Sequence, residues 1–211
     1  LMINRSIDDP MIQEIFAAAE TLSLPVLFHM SPEVGYEYGI VDEPGLPMLE
    51  EALEKYPGLK FIGHSQPFWH EISQDAKPDL KSRMEWGRGP VREGGRLVCL
   101  MRNYKNLYAD LSANSGGCAI MRDEKFGLQF LEEFQDRLMF GTDMVNTDMV
   151  FPLGEWLDRQ YQEGKLSAQA YRKICFENAK WAYVVGAAIA IKKNIKSAAD
   201  AAEAIGEGLQ A

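Results

Sequence analysis

Four short apolar runs, each ending on or beside a polar residue, constrain this chain more than any other feature. They are "LPVLFHM" (Leu24–Met30), "LKFIGHS" (Leu59–Ser65), "LYADLS" (Leu107–Ser112) and "RLMFGTDM" (Arg137–Met144). Runs this continuous suit strands covered on both faces. Each follows a stretch of helical periodicity. The first begins at Asp8-Asp9-Pro10, a capping carboxylate before a proline whose missing N–H costs nothing. It continues through Met11, Ile12, Ile15, Phe16, Ala19 and Leu22 at helical spacing. "LPMLEEALEKYP", "GRLVCLMRNYKN" and "EKFGLQFLEEFQ" precede the other three runs. Helix–strand alternation of this kind means βα units and a parallel sheet.

The connections are also readable. "SPEVGYEYGIVDEPG" is a loop, and a long polar and aromatic loop runs from Gln66 to about Gly94. "PLGEWLDRQYQEG" and "SAQAYRKICFENAKWAYVV" read as helices, and an Ala-rich helical tail is expected from about residue 187. No low-complexity linker divides the chain, so residues 1–211 are expected to form one domain.

A chain that is 46% hydrophobic and 25% charged has the composition of a soluble globular protein, and a net charge of -9 disfavours a nucleic-acid partner. No apolar run approaches the roughly 18 residues of a membrane span, and no signal peptide opens the chain. Cys99, Cys118 and Cys175 are far apart and odd in number, which suits reduced thiols in the cytoplasm. The chain opens on Leu1, so either Met2 is the true start or other residues precede it.

In parallel α/β folds, chemistry collects at the carboxyl ends of the strands. Those positions hold His29, His64, Asp110 with Ser112, and Asp143. A buried strand gains nothing from such an end unless the group is paired or coordinated, so four polar ends point to one shared site. Imidazoles with a carboxylate suit a divalent metal, zinc first, with manganese or iron as alternatives. Such an ion activates water for hydrolysis, and a nearby carboxylate takes up its proton. His70 reads as a loop residue. There is no GxSxG, no P-loop and no GxGxxG, and "NSGGC" (Asn114–Cys118) is a small glycine turn. In the long loop, Trp69, Trp86, Arg83, Arg88 and Arg92 are candidates to bound a pocket for an aromatic or carboxylated substrate.

The ordered set "LPVLFHMS", "LKFIGHSQ", "NLYADLS", "RLMFGTDM" and "ENAKWAY" resembles the C-terminal half of the amidohydrolase-2 family of metal-dependent hydrolases, up to about Val185. The resemblance implies a parallel (β/α)8 TIM-type barrel of which this chain supplies about the last four βα units. It implies His29 as a metal ligand and His64 as the histidine contacting metal-bound water or substrate. Asp143 would be metal ligand or general base. Asp110 and Ser112 would line the substrate site; Trp69 and Arg88 join the substrate-binding set on their place in the long loop, not on the resemblance.

The family pattern also includes an H-x-H (or E-x-H) pair on the first strand, and this chain has no H-x-H. It therefore reads as the C-terminal portion of a longer protein. Two remaining ligands hold metal weakly, and open sheet edges favour association with a second copy or with an N-terminal half. The expected activity is metal-dependent hydrolysis of a C–O or C–N bond in a small carboxylic-acid-type substrate. Non-oxidative decarboxylation at the same site, or a non-catalytic remnant, are the alternatives.

Overall fold

The structure is a computed structural model that describes residues 3–36 and 38–185. The expected Ala-rich tail from about 187 lies outside the described residues. Helix α1 (Pro10–Leu22) starts where Asp9 accepts the Met11 N–H, and it buries Ile12, Phe16 and Ala19. Strand β1 (Val26–Ser31) follows, then β2 (Ile40–Val41), α2 (Pro47–Lys55) and β3 (Phe61–His64). After β3 come α3 (Gln66–His70), α4 (Leu80–Met84), α5 (Arg96–Asn103) and β4 (Leu107–Asp110). The chain continues through α6 (Ser115–Met121), α7 (Glu124–Glu133), β5 (Leu138–Met139), α8 (Pro152–Gln162) and α9 (Ala168–Arg172).

The five strands form one sheet in the order β2-β1-β3-β4-β5. All pairings are parallel, with His29 opposite His64 and Asp110 opposite Met139. This is the fold class anticipated from the alternating runs, a partial (β/α) barrel. Strand alternation divides the sheet into two faces. Phe28, Phe61, Leu107, Ala109 and Leu138 belong to the main core. Ile62, Met139 and Tyr108 form a second cluster with Ala179 and Ala182. His64 and Asp110 lie two residues beyond Ile62 and Tyr108, so they share that second face, at its carboxyl end.

The last described turns cross the second face from below. Asn178 donates through Nδ2 to the carbonyls of Gln135 and Leu138 at 2.7 and 2.8 Å. Lys60 Nζ sits 3.8 Å from the centroid of the Trp181 ring. The sequence predicts one continuous helix here, and the chain is helical without a break from Ala168 to Val185; the departure is in type, with π-helical turns at Lys173–Glu177 and Lys180–Val185.

Other departures share a cause. β2, α3, α4 and α6 are too short for hydrophobic periodicity to reveal them. β2 exists because Met30 and Ser31 pair with Ile40 and Val41, with a further bridge from Ser6 to Val41. The glycine turn at "NSGGC" is the start of α6, where a side chain on Gly116 would come within 2.5 Å of Leu111 Cα. The bare glycine lets that helix sit directly on the end of β4.

Candidate active site

His64 is 8% exposed and ends β3. Its position is fixed from both sides. Before it, Gly63 lies so close to Phe68 that an added Cβ would meet the ring at 2.2 Å. After it, Ser65 has φ 94° and ψ 171°, a region that side chains avoid. The Ser65 hydroxyl holds that conformation, donating to Met30 O at 2.7 Å and accepting from Met30 N at 3.0 Å.

On the Nδ1 side of His64, Asp110 Oδ2 lies at 3.2 Å. Ser112 Oγ donates to Asp110 Oδ2 at 2.7 Å and is 3.2 Å from His64 Nδ1. Because the Ser112 proton goes to the carboxylate, its oxygen accepts from Nδ1–H. This assigns the imidazole proton to Nδ1 and leaves Nε2 as the acceptor facing the strand ends. Asp110 is itself anchored, taking the Ser112 N–H at 3.0 Å while its own carbonyl accepts the Trp69 indole N–H at 3.0 Å.

On the Nε2 side, Asp143 Oδ2 lies at 3.6 Å. Asp143 has φ 54° and stands in the turn after β5. Gly141 brings that turn down onto the site, because its Cβ position is 3.3 Å from Asp110 Oδ1 and 3.2 Å from Ser112 Cβ. Two acceptors that face each other across this gap are stable only with a proton, a hydrogen-bond donor or a cation between them.

His29 completes the cluster, its ring centroid 5.4 Å from that of His64 and 4.5 Å from that of Tyr38. Burial, and then the His64 imidazole, hold its pKa down to about 4, so near neutrality it is an uncharged donor–acceptor. Gly39 packs against it, with a Cβ position 2.9 Å from His29 Cδ2.

The structure thus brings together His29, His64, Asp110, Ser112 and Asp143. It separates the loop residues. Trp69 is 2% exposed and supports Asp110 from behind. Arg83 is also buried, and donates to Pro32 O and Asp42 O at 2.7 and 2.9 Å, so it ties loops together. Arg92 pairs with Asp75 at 3.1 Å. Trp86 and Arg88 line a cavity beside α4 whose lining includes none of His29, His64, Asp110, Ser112 and Asp143. His70 lies in α3 with Nε2 2.9 Å from Lys77 O. Ser65, Tyr38 and Gly39 were not anticipated; only the "GYEYG" stretch, aromatic and glycine-rich just after a histidine-bearing strand, carries a signal for the last two.

A partial (β/α) barrel with a histidine–carboxylate cluster at the carboxyl ends of its strands is the class that this fold and site define. Family comparison gives the narrower statement: residues 4–183 match the amidohydrolase model, and the chain belongs to that family. A second family, described as the GGGtGRT protein, matches residues 158–211. Among solved structures, the chain is similar to an uncharacterized TIM-barrel protein from Bordetella bronchiseptica. The TM-score is 0.55 at 17% identity, over 87% of this chain and 53% of that one, so the chain spans about half the length of that barrel. No curated protein matches.

Amidohydrolases generally work with divalent metal ions. Among the described residues, no group of three or more His, Cys, Asp or Glu side chains is disposed to hold one. The donor set explains why. His64 turns its Nδ1 to Asp110 and Ser112, which leaves His29, His64 Nε2 and Asp143 spread around an opening. A catalytic zinc takes three close protein ligands plus water. By themselves, these residues do not make that centre. Among the described residues, no helix is long and apolar enough to cross a membrane.

Proposed function

We propose that this chain carries the proton-transfer part of a hydrolase that cleaves a C–O or C–N bond in a small carboxylic-acid-type substrate. The observation that supports it is the orientation of His64. Asp110 and Ser112 hold Nδ1 protonated, and Nε2 faces the open strand ends beside Asp143. In this reading Nε2 takes the proton of the attacking water and returns it to the departing oxygen or nitrogen. The imidazolium formed in between is stabilised through Ser112 by the Asp110 carboxylate. Asp143 accepts a hydrogen bond from the same water and aims it.

The same reading assigns His29 and Asp143 as two donors toward a divalent ion, zinc first, with the remaining donors contributed by barrel strands outside these 211 residues. A cytoplasmic setting suits its three free cysteines.

The test is turnover of a panel of small lactones and amides by the protein, compared with its His64→Asn variant. Loss of about 10²–10⁴-fold in rate with an unchanged fold supports the assignment. Equal turnover by the variant overturns it. Carbon dioxide released without a ring-opened or deamidated product assigns the decarboxylase chemistry instead.

A further inference from the structure

A second cavity, of about 260 Å³, lies between the loop that follows α4, the segment after α3 and the end of α6. It shares no lining residue with the strand-end cluster. Arg122, the residue that caps α6, is one wall. Its guanidinium lies against Gly87, where an added Cβ would meet Nη1 at 2.2 Å. Its Nε is fully buried and has no hydrogen-bond partner.

The carboxylates that attract Arg122 are Asp75 and Asp123, and both are engaged elsewhere. Asp75 accepts from Ser73 at 2.6 Å and pairs with Arg92. Asp123 accepts the main-chain N–H groups of Val91 and Phe126 at 3.1 Å, capping α7. Arg83, the other arginine with a buried unpaired Nε, differs in kind, because two carbonyls take its outer nitrogens. Lys77 and Arg88 also line the cavity, and among the described residues neither forms an ion pair. Against these three cations stand Asp75 and Glu85, the latter within 3.9 Å of Lys81. The remaining wall is flat: the Trp86 indole, 49% exposed, and the His70 imidazole.

Burial puts Nε beyond a ligand's reach, but Nη1 and Nη2 form no hydrogen bond or ion pair among the described residues, and Nη1 lies against the cavity wall at Gly87. An exposed pair of guanidinium nitrogens is a planar fork that fits a carboxylate. We infer that this cavity binds a small carboxylate with a flat aromatic body, its oxygens on Arg122 and its ring against Trp86, independently of the reaction at the strand ends.

Calorimetric titration of the full chain with benzoate tests this, with benzamide as the uncharged isostere and inorganic phosphate as the anion without a ring. Benzoate is expected to saturate one site, with benzamide at least about tenfold weaker, as for a lost charged hydrogen bond. Phosphate is expected to be weaker as well. Arg122→Gln should lower benzoate affinity by about tenfold or more while unfolding at the same or a higher temperature. Arg88→Gln, an exposed substitution, should lower it less. Unchanged affinity in both variants overturns the proposal. So does loss of benzoate binding in Asp143→Asn with retention in Arg122→Gln, which would place the ligand at the strand ends. Phosphate binding as tight as benzoate overturns the aromatic assignment.

Discussion

His64 Nδ1 and Asp110 Oδ2 stand 3.2 Å apart at the ends of neighbouring strands, with the Ser112 hydroxyl bonded to both. The relationship dictates which imidazole nitrogen is available. Asp110→Asn replaces a pure acceptor with a group that can also donate, so it permits the other tautomer. It should lower any hydrolytic rate by about 10²–10⁴-fold while leaving the unfolding midpoint nearly unchanged. Parallel rate and denaturation measurements on the variant check this. Ser112→Ala, which leaves Asp110 still near Nδ1, should lose less.

Ser65 yields an inverted stability order. Glycine ordinarily destabilises relative to alanine, but at φ 94° and ψ 171° it is the residue that fits. Both substitutions remove the hydroxyl bonds to Met30, whereas only Ser65→Gly releases the strain, which is worth about 1–3 kcal/mol. Urea denaturation should therefore rank Ser65→Gly above Ser65→Ala.

Gly63→Ala should destabilise by about 1–3 kcal/mol, because the new methyl meets the Phe68 ring and Phe68 is wholly buried. The double variant Gly63→Ala/Phe68→Leu should recover part of that loss. A double variant no more stable than Gly63→Ala would place the clash elsewhere.

His29 governs the acid side of the stability profile. Its pKa is about 4 in the folded chain against an ordinary 6.5. Between those values the unfolded chain binds a proton that the folded chain refuses, so stability falls as pH drops from 6.5 toward 4. Asp42 acts in the opposite sense, since burial pushes it up to about 6 from 3.8 and stability from that group is lost as pH rises through this window. Urea midpoints between pH 7 and 4 should thus fall more gently in His29→Gln and more steeply in Asp42→Asn.

Zinc retention reports on the donor set. The chain alone, offering His29 and Asp143 without a third close ligand while His64 Nε2 serves as the base, should lose zinc on dialysis against a mild chelator. Metal analysis finding one equivalent of zinc after dialysis would show that these donors close up in solution.

How much of this was legible in the sequence differs from residue to residue. His64, Asp110 and Asp143 could be found because each ends an apolar run, and the parallel fold carries those ends to one place. Ser65 could not, since its role rests on a contact with Met30, 35 residues earlier in the chain. Trp69 and Arg83 looked like loop residues because α3 and α4 are too short to show a periodicity, yet folding turns both inward. Arg122 gave no signal at all. A lone arginine at the end of a glycine-rich stretch becomes notable only when the carboxylates around it prove to be occupied.

The outermost strands, β2 and β5, are two residues long. The chain itself occupies their outer margins: Val41 donates to Arg5 O and accepts from Ile7 N–H at 2.8 and 2.9 Å, while Leu138 O accepts from Asn178 and Phe140 N–H donates to Ile174 O, so neither margin is a template for open-ended pairing. The face between those margins is filled as well, since Ala179 and Ala182 lie over Ile62 and Tyr108.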